Sequence, residues 1–534
     1  MKTEILLGDE AVALGALHAG IAGAFSYPGT PATEILEYVN LRCREWRAGN
    51  GRKPVVANWS ANEKVAYEEA LGMSYAGKRA LIAMKHVGLN VAADPLMSSA
   101  LTGANGGLVL AVADDPGMHS SQNEQDSRFY AQFARIPAYE PSDQQEAYYM
   151  TLEAFEQSER LGLPIMIRLV TRLAHSRGNV KVLEHGKNEV SVGVVKNSAD
   201  WILMPVNARR RFRRLVEVET RLQSLADDST HNVLKLAGRR GVICSGIAYG
   251  YVMENVGPAT DFSILKITQY PLPAKKIRQL IAHCDEVTVV EDGYPFIESQ
   301  LRGLLGVPGK NIYGKHTGHL PPSGEMTPDV VREALGLEPY TARQRAGDLG
   351  PRPPRLCQGC PHIDTYRAVV EALKPHSNAA VFSDIGCYSL GALPPYNAIN
   401  TCLEMGASIG MARGAALAGV HPSCAVIGDS TFTHSGLAGL LGAAHDNTNM
   451  TVFILDNATV AMTGGQQTLT TGEEFVTLVR GLGVGPEHVK TIIPLPSHHE
   501  QNVRIIRGEL EYKGLSVVIS ARACIQIKKA GVTA

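Results

Sequence analysis

In the run "AVIGDSTFTHSGLAGLLGAAHDNTNMTVFILDNATVAMTGGQQ", Ala425 to Gln467, one apolar segment ends at Gly428-Asp429-Ser430 and a second ends at Asp456-Asn457-Ala458-Thr459. The pattern reads strand, helix, strand. Ligands collect at the C-terminal ends of parallel strands, where helix N-termini also offer free amides to phosphate. Asp429 and Asn457 would then stand at the ends of adjacent strands as two hard oxygen ligands for a Mg2+ that bridges a diphosphate, with the Thr459 carbonyl as a third. Taken alone, the same residues also describe a turn, a helix cap and a second turn. Cys357 and Cys360 form the one Cys-x-x-Cys of the chain, in "LCQGCPH". A redox dithiol, half of a metal site and core packing all satisfy that spacing. Glu63 opens a helix in "NWSANEKVAYEEALG", directly after the apolar "VVANWS". An acid there is commonly no more than a favourable charge at a helix N-terminus. In an apolar pocket its pKa would instead rise and it could share a proton. Glu68 and Glu69, further along that helix, are expected on the solvent face.

These residues need elements to hold them, and a chain of 534 residues is too long for one core. From Ile5 to about Arg177, apolar runs such as "RALIAMKHVG" and "GGLVLAVADDPG" alternate with helical stretches such as "ATEILEYVNLRCREW". Strands buried on both faces and separated by amphipathic helices indicate a doubly wound parallel sheet. The reading is α/β with three such domains: residues 1–190, a connector at 191–239, residues 240–345 and residues 346–534. Prolines 351, 353 and 354 in "GDLGPRPPRLCQGCPH" mark a linker. A net charge of -1 gives no electrostatic case for nucleic acid or a membrane surface. The basic run "ARRRFRR", Ala208 to Arg214, is expected to be the solvated face of a helix. Glu4, Asp9 and Glu10 interrupt any signal-peptide core and no run reaches the length of a membrane span, so a cytoplasmic location is expected. Nine scattered cysteines do not form a secreted disulfide framework. For Cys43, Cys244, Cys284, Cys402 and Cys424, core packing suffices.

With the strand-motif-helix-strand context in place, Gly428-Asp429-Ser430 and the Asn457 that follows resemble the Gly-Asp-Gly…Asn motif of thiamine diphosphate enzymes. Ser430 replaces the third-position glycine, and 25 residues separate it from Asp456. The resemblance extends over the whole chain. "SYPGTPATEI", "WSANEKVAYEEALGMSYAGKRALIAMKHVGLNVAADPLM", "ADDPGMHSSQNEQDSRFYAQFARIP", "CQGCPH", "SDIGCYSLGALPP" and "GDSTFTHSG…LDNATVAMTGGQQ" are similar, in order, to the large subunits of the indolepyruvate type among the 2-oxoacid:ferredoxin oxidoreductases.

That resemblance implies a pyrimidine-binding first domain, a middle domain and a diphosphate-binding third domain. It makes Glu63 the carboxyl that activates the aminopyrimidine of thiamine diphosphate, and Asp429, Asn457 and Thr459 the Mg2+ ligands. It places Gly428, Ser430, His434 and Met462 against the cofactor. Thr30, His86, His119 and Gln122 are placed beside the substrate. Cys357, Cys360, Cys387 and Cys524, spaced Cys-x2-Cys-x26-Cys-x136-Cys, resemble the ligands of the cluster nearest the cofactor in related enzymes, implying one [4Fe-4S] cluster. Zinc fits four thiolates equally well but cannot accept electrons. A thioredoxin-like dithiol is disfavoured because the motif follows a proline linker instead of opening a helix after a strand. The family implies a homodimeric core, a small (beta) subunit, ferredoxin or another electron acceptor, and CoA and a 2-oxoacid, such as an arylpyruvate, as small-molecule partners. The family's C-terminal ferredoxin-like module, with its two Cys-x2-Cys-x2-Cys-x3-Cys-Pro runs, has no counterpart in this sequence, so electrons are expected to leave through another polypeptide, or the enzyme does not use ferredoxin at all. The alternative is a non-oxidative thiamine diphosphate-dependent decarboxylase or carboligase without a cluster.

Overall fold

The computed structural model describes residues 2–49, 55–184, 186, 189–195, 198–258, 260–303, 309–338 and 354–529. Two compact units divide the chain, Met1–Arg345 and Ala346–Ala534. In the first unit a seven-stranded sheet has the spatial order Gln269–Tyr270, Ala138–Tyr139, Ile165–Val170, Leu108–Asp114, Ala80–Lys85, Gly23–Ser26, Val56–Trp59. It is parallel except where Gln269–Tyr270 pairs with Ala138–Tyr139. The strands Leu108–Asp114, Ala80–Lys85 and Ile165–Val170 are buried at every position. Because successive Cβ atoms point to opposite faces, Ile82, Met84, Leu110 and Val112 fill one core and Leu81, Ala83, Val109 and Ala111 the other. Each aliphatic side chain so buried contributes about 1.5–3 kcal/mol, which is why the runs are apolar without alternation.

A second sheet of the same unit has the order Asn311–Tyr313, Glu286–Val290, Arg240–Ser245, Ser263–Ile267, Val233–Lys235. Only the last strand, which comes from within the stretch read as a connector, is antiparallel. A polar network lies beneath the loop that follows strand Leu108–Asp114. Arg168 Nε donates to Asp114 Oδ2 at 2.6 Å, and the Ser127 amide donates to the same oxygen at 3.0 Å. Arg128, 1% exposed, pairs with Asp126 at 2.5 Å and Glu291 at 2.9 Å. Buried charges of this kind are tolerated only when paired, and here the pairing fixes both ends of a loop that carries site residues.

The second unit holds a six-stranded, wholly parallel sheet in the order Thr401–Cys402, Ala380–Ser383, Ser423–Gly428, Met450–Asp456, Leu515–Ala521, Val489–Ile492. Strand order reverses between Ala380–Ser383 and Ser423–Gly428, so a crevice opens at their C-terminal ends, the usual ligand position in such sheets.

Three sequence expectations need correction. Arg211, inside the basic run, is buried and donates to the Leu101 and Thr102 carbonyls, both at 2.6 Å. The last carbonyls of the helix Ala93–Thr102 lack intrahelical donors, and a guanidinium supplies them. Cys402 is exposed on the edge strand instead of packed in a core. Cys360 stands at the N-cap of the helix Pro361–Leu373, so the Cys-x-x-Cys does open a helix, with Pro361 at its first turn. The proline-rich stretch before it, residues 347–353, lies outside the described residues.

Candidate active site

In the first unit, Glu63 begins the helix Glu63–Tyr75, and the Asn62 side chain caps that helix by accepting from the Val65 amide. Glu63 is 5% exposed and lies against Gly88, where an added Cβ would come within 2.4 Å of its Oε1. Glu68 and Glu69 are exposed, as expected of the opposite face. His86 follows the buried strand Ala80–Lys85 and is 1% exposed; its Nε2 lies 3.1 Å from the Asn123 carbonyl. That contact requires a proton on Nε2, and Nδ1 has no hydrogen-bond partner among the described residues. Thr30 sits in the turn before the helix Thr33–Gly49, and its carbonyl accepts from Ser120 Oγ at 3.2 Å.

Lys85 is a site residue that pattern reading missed. Its Nζ donates to the Ser120 carbonyl at 3.1 Å, and its stem packs on Gly29, where a Cβ would meet Lys85 Cδ at 3.2 Å. Burial pushes its pKa down to about 8 despite the opposing pull of Asp115 and Glu63. Asp115 in turn accepts from Ser120, Ser121 and Thr171, and these bonds hold its carboxyl low against the effect of burial. The sequence signal was a lysine closing a strand that is otherwise wholly apolar. Glu63, Lys85, His86 and Thr30 are thereby gathered around the strand ends near Ser120. His119 and Gln122 are not: both are exposed, and His119 Nε2 faces Glu325 at 3.5 Å.

In the second unit, Gly428 ends its strand with Asp429 directly after it, and Asp456-Asn457 end the next strand. A Cβ on Gly428 would lie 2.6 Å from the Tyr388 ring, so a larger residue has no room. Asp429 Oδ1 accepts from the Ser430 amide at 2.7 Å, while Oδ2 is buried with no partner among the described residues. Burial pushes Asp429 up to about 7, and the neighbouring Asp456 adds to the rise. Two carboxyls side by side with an orphaned oxygen are a donor set that fits a divalent cation. Asn457 Oδ1 accepts from the Thr459 amide at 3.2 Å, and the chain turns through Ala458 at φ 61°. Thr459 is buried, its hydroxyl donating to the Gln466 carbonyl at 3.0 Å. His434 is buried beside Ser435, and Met462 is 51% exposed within its unit.

The four cysteines meet in this unit. Cys360 precedes the helix Pro361–Leu373, Cys387 follows the strand Ala380–Ser383, and Cys524 follows the strand Leu515–Ala521. Burial pushes the Cys360 and Cys387 thiols up to about 11, and each also faces the other cysteines of the set, Cys357 and Cys524 among them. Among the described residues no three of these sulfurs lie within 4.8 Å of one another. A tetrahedral zinc with Zn–S of about 2.3 Å would draw them to about 3.8 Å. Cys524 also ties this region to the loop bearing Asn457, its amide donating to the Asn457 carbonyl at 2.9 Å. His362, again unnoticed in the sequence, places Nε2 3.4 Å from Asn457 Nδ2 and is 3% exposed.

Over 97% of its length the chain is 38% identical to the indolepyruvate oxidoreductase subunit IorA of Archaeoglobus fulgidus, covering 86% of that protein. It is 36% identical to the subunit of the same name from Pyrococcus abyssi, over 99% of the chain and 87% of that protein. The chain belongs to the IorA family. Membership makes it an oxidoreductase subunit of the indolepyruvate type. In keeping with IorA membership, residues 14–204 match the family model for "pyruvate flavodoxin/ferredoxin oxidoreductase, thiamine diP-bdg" and residues 384–492 match "thiamine pyrophosphate enzyme, C-terminal TPP binding domain". Thiamine diphosphate is therefore the cofactor of this IorA chain. A solved 2-oxoglutarate:ferredoxin oxidoreductase from Magnetococcus marinus shares the fold at a TM-score of 0.50 and 17% identity, over 62% of this chain and 65% of that one.

Proposed function

We propose that the chain oxidatively decarboxylates an arylpyruvate such as indolepyruvate to an acyl-CoA, with electrons leaving through a [4Fe-4S] cluster to ferredoxin or another acceptor. The grouping of Cys357, Cys360, Cys387 and Cys524, with Cys524 bonded to the loop that bears Asn457, supports this reading. When bound, thiamine diphosphate supplies the electron sink for loss of CO2, and the cluster accepts electrons singly. Glu63, buried at the start of its helix, is the carboxyl that activates the aminopyrimidine. Asp429, Asn457 and the Thr459 carbonyl are the Mg2+ ligands, with Gly428, Ser430, His434 and Met462 against the cofactor. Lys85 presents its ammonium to the substrate carboxylate, and His86 offers Nδ1 as a proton acceptor beside Thr30. His119 and Gln122 are outer residues of the same loop that reach substrate only if that loop folds inward.

The first unit is proposed to comprise the pyrimidine-binding and middle domains on either side of residues 191–239, the second unit the diphosphate-binding domain. The relatives are named as subunits, which supports a small-subunit partner alongside a homodimeric core. No helix among the described residues is long and apolar enough to cross a membrane, in keeping with the proposed cytoplasmic location. The test is iron and acid-labile sulfide on anaerobically purified protein, with EPR before and after arylpyruvate. About four irons per chain and a substrate-generated reduced-cluster signal are expected. An iron-free chain that still releases CO2 would replace this reading with the non-oxidative decarboxylase.

A further inference from the structure

We propose that Asp9, Glu34 and His175 form a separate cation site in the first unit, built for a first-row divalent ion such as Mn2+ or Zn2+. One ligand atom from each lies within 4.8 Å of the other two. Asp9 is the second residue of the helix Gly8–His18, Glu34 lies in the first turn of the helix Thr33–Gly49, and His175 ends the helix Thr171–His175. Glu34 Oε2 stands 3.3 Å from His175 Nε2.

Asp9 decides the matter. It is 0% exposed, and neither carboxylate oxygen has a hydrogen-bond partner among the described residues. Its charged neighbours include Glu34 and Glu10, which, after burial itself, push its carboxyl well above the ordinary range. Glu10 is already engaged, accepting from the Leu7 amide at 2.8 Å. A buried carboxylate must be neutralised by a proton, a paired cation or a metal. Among the described residues no lysine or arginine pairs with Asp9. Glu34 and His175 are each 34% exposed in their side chains, so the site has a deep end and a solvent mouth through which water can complete a coordination shell. One imidazole with two carboxylates is a donor set for zinc, manganese or ferrous iron; the nitrogen disfavours Mg2+ and Ca2+. An ion held there would fasten the start of the helix that follows the Thr30 turn to two other helices. The inference stands independently of the proposed reaction.

The probe is Co2+ added to the chelator-stripped chain and followed by visible absorption. A bound ion with nitrogen and oxygen ligands, lacking thiolate charge-transfer bands, is expected to persist in Asp429→Asn and in Cys357→Ser. It should weaken about tenfold or more, the scale of losing a ligand or its support, in both Asp9→Asn and the solvent-facing His175→Gln. Wild-type Co2+ binding in those two variants, or no Co2+ beyond what Asp429→Asn and Cys357→Ser abolish, would overturn the proposal and leave Asp9 as a protonated buried acid.

Discussion

Replacing Gly88 with alanine tests the role of Glu63 without touching it. An alanine Cβ would stand 2.4 Å from Glu63 Oε1, 2.6 Å from its Cγ and 2.8 Å from its Cδ. Ordinary contact begins near 3.4 Å, so the carboxyl must move by about 1 Å, and because Cγ is also crowded a simple rotation of the tip does not relieve the clash. Gly88 lies in the helix His86–Val91 without positive φ, so alanine suits the backbone and improves helix propensity by about 0.8–1 kcal/mol. A displacement of about 1 Å in a positioning group costs on the order of 10²-fold in rate. The expected result is a fall in kcat of that order, measured by arylpyruvate-dependent CO2 release, with thermal stability near that of the parent. Glu63→Gln should lose about 10²–10⁴-fold, and the double variant should lose no more than Glu63→Gln alone. Full activity in Gly88→Ala, in a folded protein that binds thiamine diphosphate, would refute the assignment of Glu63.

Lys85→Met should raise KM for the 2-oxoacid more than it lowers kcat. In the parent, KM should climb as pH passes about 8, where the lowered pKa of Lys85 removes the charge. Since that depression amounts to roughly 3 kcal/mol against the folded, charged state at neutral pH, Lys85→Met should also raise the free energy of unfolding by up to that much in urea titration. Arg168→Ala, which removes the guanidinium that pairs with buried Asp114 and Glu140 and leaves Asp114 only the Ser127 amide, should lower stability by about 3–5 kcal/mol in urea unfolding; an unchanged midpoint would show the network to be dispensable. His362→Ala should weaken Mg2+-dependent thiamine diphosphate binding by about 10–100-fold, the range found for groups that orient metal ligands, as read by cofactor fluorescence quenching or calorimetry.

The three sheets were readable because strands covered on both faces must be apolar throughout, and Leu108–Asp114 and Met450–Asp456 show no alternation to confuse with another element. Asp429 and Asn457 were readable because each directly follows such a run. Cys387 and Cys524 became legible through family resemblance: with 136 residues between them, no local spacing rule joins them. Lys85 and His362 were missed for a different reason. Each owes its significance to partners distant in sequence, Ser120 and Asn457, and to burial that a charged or polar letter does not advertise. Arg211 was misread because its four basic neighbours, Arg209, Arg210, Arg213 and Arg214, do face solvent, and only the open carbonyls at the end of a distant helix distinguish it.

The hydrogen bonds from the Cys524 amide to the Asn457 carbonyl and from the Arg522 amide to the Asp456 carbonyl fasten the sulfur-bearing exit of the last strand to the loop after Asp456. If both proposed sites are filled, occupancy of one should be thermodynamically linked to occupancy of the other, in both directions. Oxygen that destroyed the proposed cluster at the four cysteines would also loosen the loop proposed to grip the cofactor, so oxidative injury would weaken thiamine diphosphate binding as well as stop electron transfer. Resupplying thiamine diphosphate in excess would mask the injury in a binding assay and expose it in turnover.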